Sequence, residues 1–235
     1  MRFLLAFWGV CAYAQSGIDV PIVGALVDSS GAMRPVQGVA GNFLLGPATV
    51  SGVLSAACSE QLCLAKADSK ILSGTGATEA PPGPAVFAVH GEEAVVFFPE
   101  SQTFARWHDN TLDLLDWSIA GEVLSIRGTE IAVRQDGRVW DVLPDGSVID
   151  WIADTIGPVL LFEDAVVFGT PDQLVLRHPD GSELRFELTG AETIAAMGPH
   201  YVAIRAGDAL FTLRTEPGRE SLFLLPAFVP TGSSP

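Results

Sequence analysis

Positive charge is scarce in this sequence. Its 13 Lys and Arg face 28 Asp and Glu, a formal net charge of −15 in 235 residues. A surface of that sign repels phosphate backbones and anionic headgroups, so nucleic acid is excluded as a partner on charge. Cysteine is scarcer, with three in the chain. Beyond residue 14 no apolar run approaches the roughly 20 residues that a spanning helix needs. No segment shows a helical period with caps. A phosphate-binding glycine loop, a Gly-x-Ser-x-Gly elbow and a calcium-loop ligand series are also missing, which removes the commonest nucleotide, serine-hydrolase and EF-hand readings.

What is present is strand-forming. Hydrophobic residues make up 48% of the chain, and aromatic and β-branched types run throughout, which excludes disorder. The length suits one all-β domain. Residues 1–14 read as a signal peptide: Arg2 is a basic start, Phe3 to Cys11 is apolar, and Ala12-Tyr13-Ala14 is a small-x-small cleavage site. Cys11 lacks lipobox residues before it. The expected location is therefore periplasmic or extracellular, with no transmembrane segment in the mature chain. Removal of the leader leaves Cys58 and Cys63, and an even count in an exported protein reads as a disulfide, here across a tight hairpin. The redox spacing of two residues is absent, and no further zinc ligands stand nearby.

Two segments align without gaps, 138–151 and 173–186, each a strand, a Pro-Asp-Gly-Ser turn and a second strand. Asp-Gly between alternating apolar residues is a strong hairpin signal. Weaker copies begin at Gln102 and Asp208, and a fifth begins near Ser69 without a clear second strand, since 74–84 reads as a loop. A second kind of hairpin lies between them, at 53–65, 85–98, 123–134, 159–168 and 193–205, with strands apolar on both faces. Each unit is thus four short strands. Radially repeated sheets of this size are the mark of β-propellers.

On these repeats the chain resembles the broad β-propeller class, WD40-like and NHL-like modules included, over roughly residues 50–228, without the specific signature of either. The competing fold is a β-sandwich or other β-barrel. Five blades are expected, with six as the alternative. Residues 15–49 carry N-terminal strands that match the outer-hairpin pattern and suit propeller closure; 50–229 carry the repeats, and 230–235 form a polar tail. The stretch from Val20-Pro-Ile-Val-Gly24 to Arg34-Pro-Val-Gln-Gly-Val-Ala-Gly-Asn42 also resembles the opening of a group of uncharacterised exported bacterial proteins, which implies no activity.

Candidate chemistry is thin. His90, His108, His178 and His200 each fall at or beside a turn, all on one face of a propeller, spread over the second, fourth and fifth of the five expected blades. The carboxylate pairs Glu92-Glu93 and Glu163-Asp164 read as solvated turns. Trp117, Trp151 and Phe186 end equivalent strands and read as blade-to-blade packing, with Trp107 and Trp140 in the core. No residue is assigned a catalytic, cofactor-binding or metal-ligating role, and no cofactor is expected. The leading expectation is a monomeric, non-enzymatic binding or scaffold module that presents its loops to a protein, peptide or glycan. The alternative is a metal-dependent propeller hydrolase or lyase, for which Glu130, Glu163 and His200 stand near axial positions without recurring in register. Whether the chain is an enzyme stays open. A part in a larger envelope assembly is a third expectation, with 38–47 and 81–84 as its surfaces.

Overall fold

The computed structural model describes residues 20–74 and 76–226. The leader at 1–14 and the tail at 230–235 lie outside them. Antiparallel sheets account for all regular structure among the described residues, in six blades that each follow chain order. Blade 1 has three strands, β1 (Ile22–Val27), β2 (Met33–Val39) and β3 (Asn42–Leu45). The other five have four. Blade 2 holds β4 (Ser55–Cys58), β5 (Cys63–Ala67), β6 (Lys70–Ser73) and β7 (Gly76–Glu79). Blade 3 holds β8 (Val86–His90), β9 (Glu93–Phe98), β10 (Thr103–His108) and β11 (Thr111–Leu115). Blade 4 holds β12 (Glu122–Arg127), β13 (Glu130–Gln135), β14 (Arg138–Val142) and β15 (Val148–Ala153). Blade 5 holds β16 (Val159–Phe162), β17 (Ala165–Gly169), β18 (Gln173–Arg177) and β19 (Glu183–Glu187). Blade 6 holds β20 (Ala191–Gly198), β21 (Tyr201–Ala206), β22 (Ala209–Arg214) and β23 (Ser221–Leu224).

The first strand of each blade lies innermost. β4 touches β8, β8 touches β12, and so on to β20, which meets β1 and thereby closes the ring. The fold is a six-bladed β-propeller, the larger of the two blade counts expected. Two details differ from the sequence reading. β1 is an inner strand, not part of an outer hairpin, and it starts a blade of its own. Residues 76–79 form a strand within the stretch read as a loop; Gly-Ala-Thr-Glu offers no apolar pattern, and the strand is defined by backbone pairing to β6 and by Thr78, which donates to the Asn110 carbonyl of blade 3 at 2.9 Å.

The core is divided by the blades into six clusters, one in each seam. Leu64, Ile71, Val96 and Trp107 fill the seam of blades 2 and 3. Phe97, Phe104, Ile126 and Ile131 fill the next, and Ala132, Val139, Leu161 and Phe168 the seam of blades 4 and 5. Leu174, Leu176, Val202 and Ile204 follow. Leu26, Val36, Phe43 and Met197 close the ring between blades 6 and 1, and Met33, Val53, Cys58 and Ala65 lie between blades 1 and 2. A strand covered on both sides has no solvent face to make polar, which is why the inner strands lose alternation.

The Pro-Asp-Gly-Ser turns are alike in detail. Gly146 and Gly181 take φ of +81° and +82°. In each turn the Asp carboxylate accepts from the N–H and the hydroxyl of the Ser two residues on, at 2.9 and 2.6 Å. Those bonds favour the ionised form and hold the Asp145 and Asp180 carboxyls below the usual range. One charged side chain lies wholly inside. Lys66 on β5 is 0% exposed, and its ammonium donates to the Asp68 carbonyl. Burial lowers its pKa, opposed by Asp68 and Glu100.

Candidate functional site

Turns after the first strand of every blade, and after the third strand of blades 2 to 6, open on one face. The inner turns of blades 2 to 6 surround a cavity of about 1250 Å³ there, to which the inner turn of blade 1 contributes nothing. The residues that open each inner hairpin occupy one register position around the axis. They are Cys58 with Cys63, His90 with Glu93, Arg127 with Glu130, Phe162 with Ala165, and Gly198 with Tyr201. Cys58 and Cys63 form the expected disulfide, which fixes the turn of blade 2.

Blades 3 and 4 repeat the same chemistry at this position: a basic or ionisable residue, Gly, one variable residue, then Glu. Gly91 and Gly128 take φ of +59° and +60°, the left-handed geometry that lets two residues reverse the chain. Arg127 donates from Nε to Glu130 Oε2 at 2.7 Å, and from Nη1 to the carbonyls of Glu163 and Ala165 at 2.9 and 3.3 Å. It thus ties blade 4 to blade 5 at the cavity wall. Ser59 ties blade 2 to blade 3 in the same way, donating to the Gly91 carbonyl at 3.1 Å.

Among the charged groups of the wall, acids predominate. Glu60, Glu93, Glu130, Glu163 and Asp164 line it, against Arg106, Arg127 and His90. Among the described residues only Glu130 of these carboxylates is in an ion pair, with Arg127 at 2.5 Å. The pairs Glu92-Glu93 and Glu163-Asp164, read from sequence as solvated turns, therefore send Glu93, Glu163 and Asp164 to the cavity.

The histidines are dispersed. His90 lines the cavity. His108 lies on β10, where the Asp113 carboxylate, 2.7 Å from Nε2, raises its pKa. His178 is 3.3 Å from Glu220 across the seam of blades 5 and 6. His200 is in the β20–β21 turn, where its carbonyl accepts the Thr215 N–H. Glu130, Glu163 and His200 are not gathered into a ligand set, and no group of three His, Cys, Asp or Glu suited to an ion occurs among the described residues.

The aromatic residues at equivalent strand ends differ. Trp117 packs on Phe104 with ring centroids 5.5 Å apart, and Phe186 packs into the seam of blades 5 and 6. Trp151 is 44% exposed and carries the Arg177 guanidinium over its ring at 5.7 Å. Trp107 is buried and Trp140 packs against the core of blades 3 and 4.

Reading from sequence missed Glu60, Arg127 and the shared register of Glu93 and Glu130. The signal was available: His90-Gly-Glu-Glu93 and Arg127-Gly-Thr-Glu130 match at every position that the turn and the wall require.

No family model matches the chain, and no curated protein sequence matches it. Solved structures do. PorZ, an essential bacterial surface component of the type-IX secretion system of Porphyromonas gingivalis, is similar with a TM-score of 0.55 at 14% identity, over 89% of this chain and 39% of that one. Hsv2 of Kluyveromyces lactis gives 0.47 at 11% identity, over 74% of this chain and 63% of that one. A protein of unknown function from Bacteroides caccae gives 0.48 at 11% identity, over 86% and 93%. The chain spans about two fifths of the length of PorZ and under two thirds of that of Hsv2. The likeness to PorZ is one of fold.

Proposed function

We propose that the chain is a non-catalytic binding module, exported from the cytoplasm, whose cavity face takes a positively charged segment of a protein or peptide. The acid-lined cavity carries this reading. Glu60, Glu93, Glu163 and Asp164 line it without ion-pair partners among the described residues, and carboxylates held on a concave wall attract cations more strongly than the same charges on an open surface. The chain's net charge of −15 adds long-range attraction of the same sign. The disulfide and the leader sequence support a setting outside the reducing cytoplasm. The metal-dependent hydrolase or lyase finds less support, because the acids and histidines do not converge as ligands.

Fluorescence anisotropy against a labelled Lys- and Arg-containing peptide, an acidic peptide of equal length and a neutral oligosaccharide tests the reading. The basic peptide is expected to bind, more weakly as salt rises. Glu93→Lys combined with Glu163→Lys is expected to lower its affinity at least about tenfold, one decade being about 1.4 kcal/mol. Binding of the acidic peptide or the sugar instead, or indifference to the charge reversal, overturns it.

A further inference from the structure

The seam of blades 4 and 5 holds an acid that cavity binding does not use. Asp141 stands on β14, opposite Ala132 on one side and Asp150 on the other. Ala132 and Val139, which share its face of the sheet, pack against blade 5, so the carboxyl is directed into the seam. It is 8% exposed, and Oδ1 has no hydrogen-bond partner. Burial pushes its pKa up to about 6, Glu130 and Asp150 add to the rise, and Arg127 and the Ile131 backbone oppose it. From blade 5 the charged groups on this side are Glu163 and Asp164, at the β16–β17 turn, and Arg177. That guanidinium is committed to Glu183 at 2.8 Å and to the Ile152 carbonyl at 2.6 Å.

We propose that Asp141 is a proton-operated latch on this seam, competing with Glu130 and the carbonyls of Glu163 and Ala165 for the Arg127 guanidinium. The arrangement described above, with Arg127 on Glu130 and both carbonyls, is that of the protonated acid. On ionisation the carboxylate draws Arg127 inward, and the two carbonyls of blade 5 lose their donor. Arg127 and Glu130 form part of the cavity wall, so the latch sets the spacing of that wall.

The Leu161 amide reports the seam, because it crosses from blade 5 to donate to Ser125 Oγ at 2.9 Å. Hydrogen exchange at Leu161, with ¹³C titration of the Asp141 carboxyl, is followed on the full chain between about pH 4.5 and 8. Corrected for intrinsic exchange, protection at Leu161 is expected to fall at least about tenfold as Asp141 ionises. Asp141→Asn is expected to hold it constant, and Glu130→Gln to move the Asp141 midpoint to lower pH. Flat protection in the wild type, an equal fall in Asp141→Asn, or a midpoint in the ordinary carboxylate range overturns the latch. If Asp141→Asn does not fold, the Asp141 midpoint and its displacement in Glu130→Gln decide the question.

Discussion

The seam of blades 4 and 5 and the seam of blades 6 and 1 solve the same packing problem with different chemistry. The first joins consecutive repeats and contains Ser125, Arg127, Asp141 and Arg177 beside its apolar cluster. The second joins the two ends of the described chain and is built from close contact. A side chain at Gly24, whose φ is +154°, would have its Cβ 1.8 Å from the Met197 carbonyl oxygen, and one at Gly198 would meet the Val23 oxygen at 2.3 Å. Around them Phe43 meets Tyr201 and Phe223 edge-on, with centroids 5.8 and 5.4 Å apart. The closing seam lacks the short linker that joins sequence-adjacent blades and is marked by close backbone approach, although it too buries a polar group: Thr212 shares the face of Ala203 and is 0% exposed.

Gly24→Ala should break the comparison most severely. With backbone oxygen in the way, the loss is expected to exceed about 3 kcal/mol in urea unfolding. Gly128→Ala has open space around it and should cost only about 1 kcal/mol for its positive φ. Equal losses at both positions would mean that close approach does not govern the closing seam.

Asp141→Asn should act in the opposite direction. An acid whose pKa rises on folding, here from 3.8 to about 6, disfavours the folded state once it must ionise. The contribution of Asp141 to wild-type stability is therefore most favourable below pH 3.8, declines between 3.8 and about 6, and then levels. The Asn variant is expected to gain only about 0.5 kcal/mol at pH 4 and up to about 3 kcal/mol at pH 7.5. Thermal unfolding at the two pH values reads this directly, and a gain of equal size at both would assign it to something other than ionisation.

Ser125→Ala should have a modest effect, of the same order as Gly128→Ala. It leaves the Leu161 N–H without an acceptor in a buried position, at a cost of about 1–2 kcal/mol. A neutral result in urea unfolding would mean that blades 4 and 5 are joined by their apolar cluster alone.

The parts of the fold that were legible in the sequence are those that local chemistry specifies. The Asp-Gly turns at 145–146 and 180–181 demand hairpins, and the doubly buried strands such as Val159–Phe162 announce themselves by losing alternation. β7 was illegible because an exposed edge strand of Gly-Ala-Thr-Glu is held by backbone bonds that leave no residue pattern. The blade count stayed open between five and six for a related reason. β1 reads as half-exposed, its inner position being set by contact with Met197, far along the chain. The candidate site was half legible. Its acids lie at visible turns, but their convergence depends on five blades curving round one axis.

The interior position of Lys66 has a practical consequence. The sequence contains only two lysines, and with Lys66 sealed between blades 2 and 3, Lys70 is the one lysine amine that reagents in solution can reach. It lies at the start of β6, on the face of the propeller away from the inner turns. Besides the chain's own amino terminus, amine coupling therefore has one address, and protein attached to a sensor surface through it would present the acid-lined mouth outward.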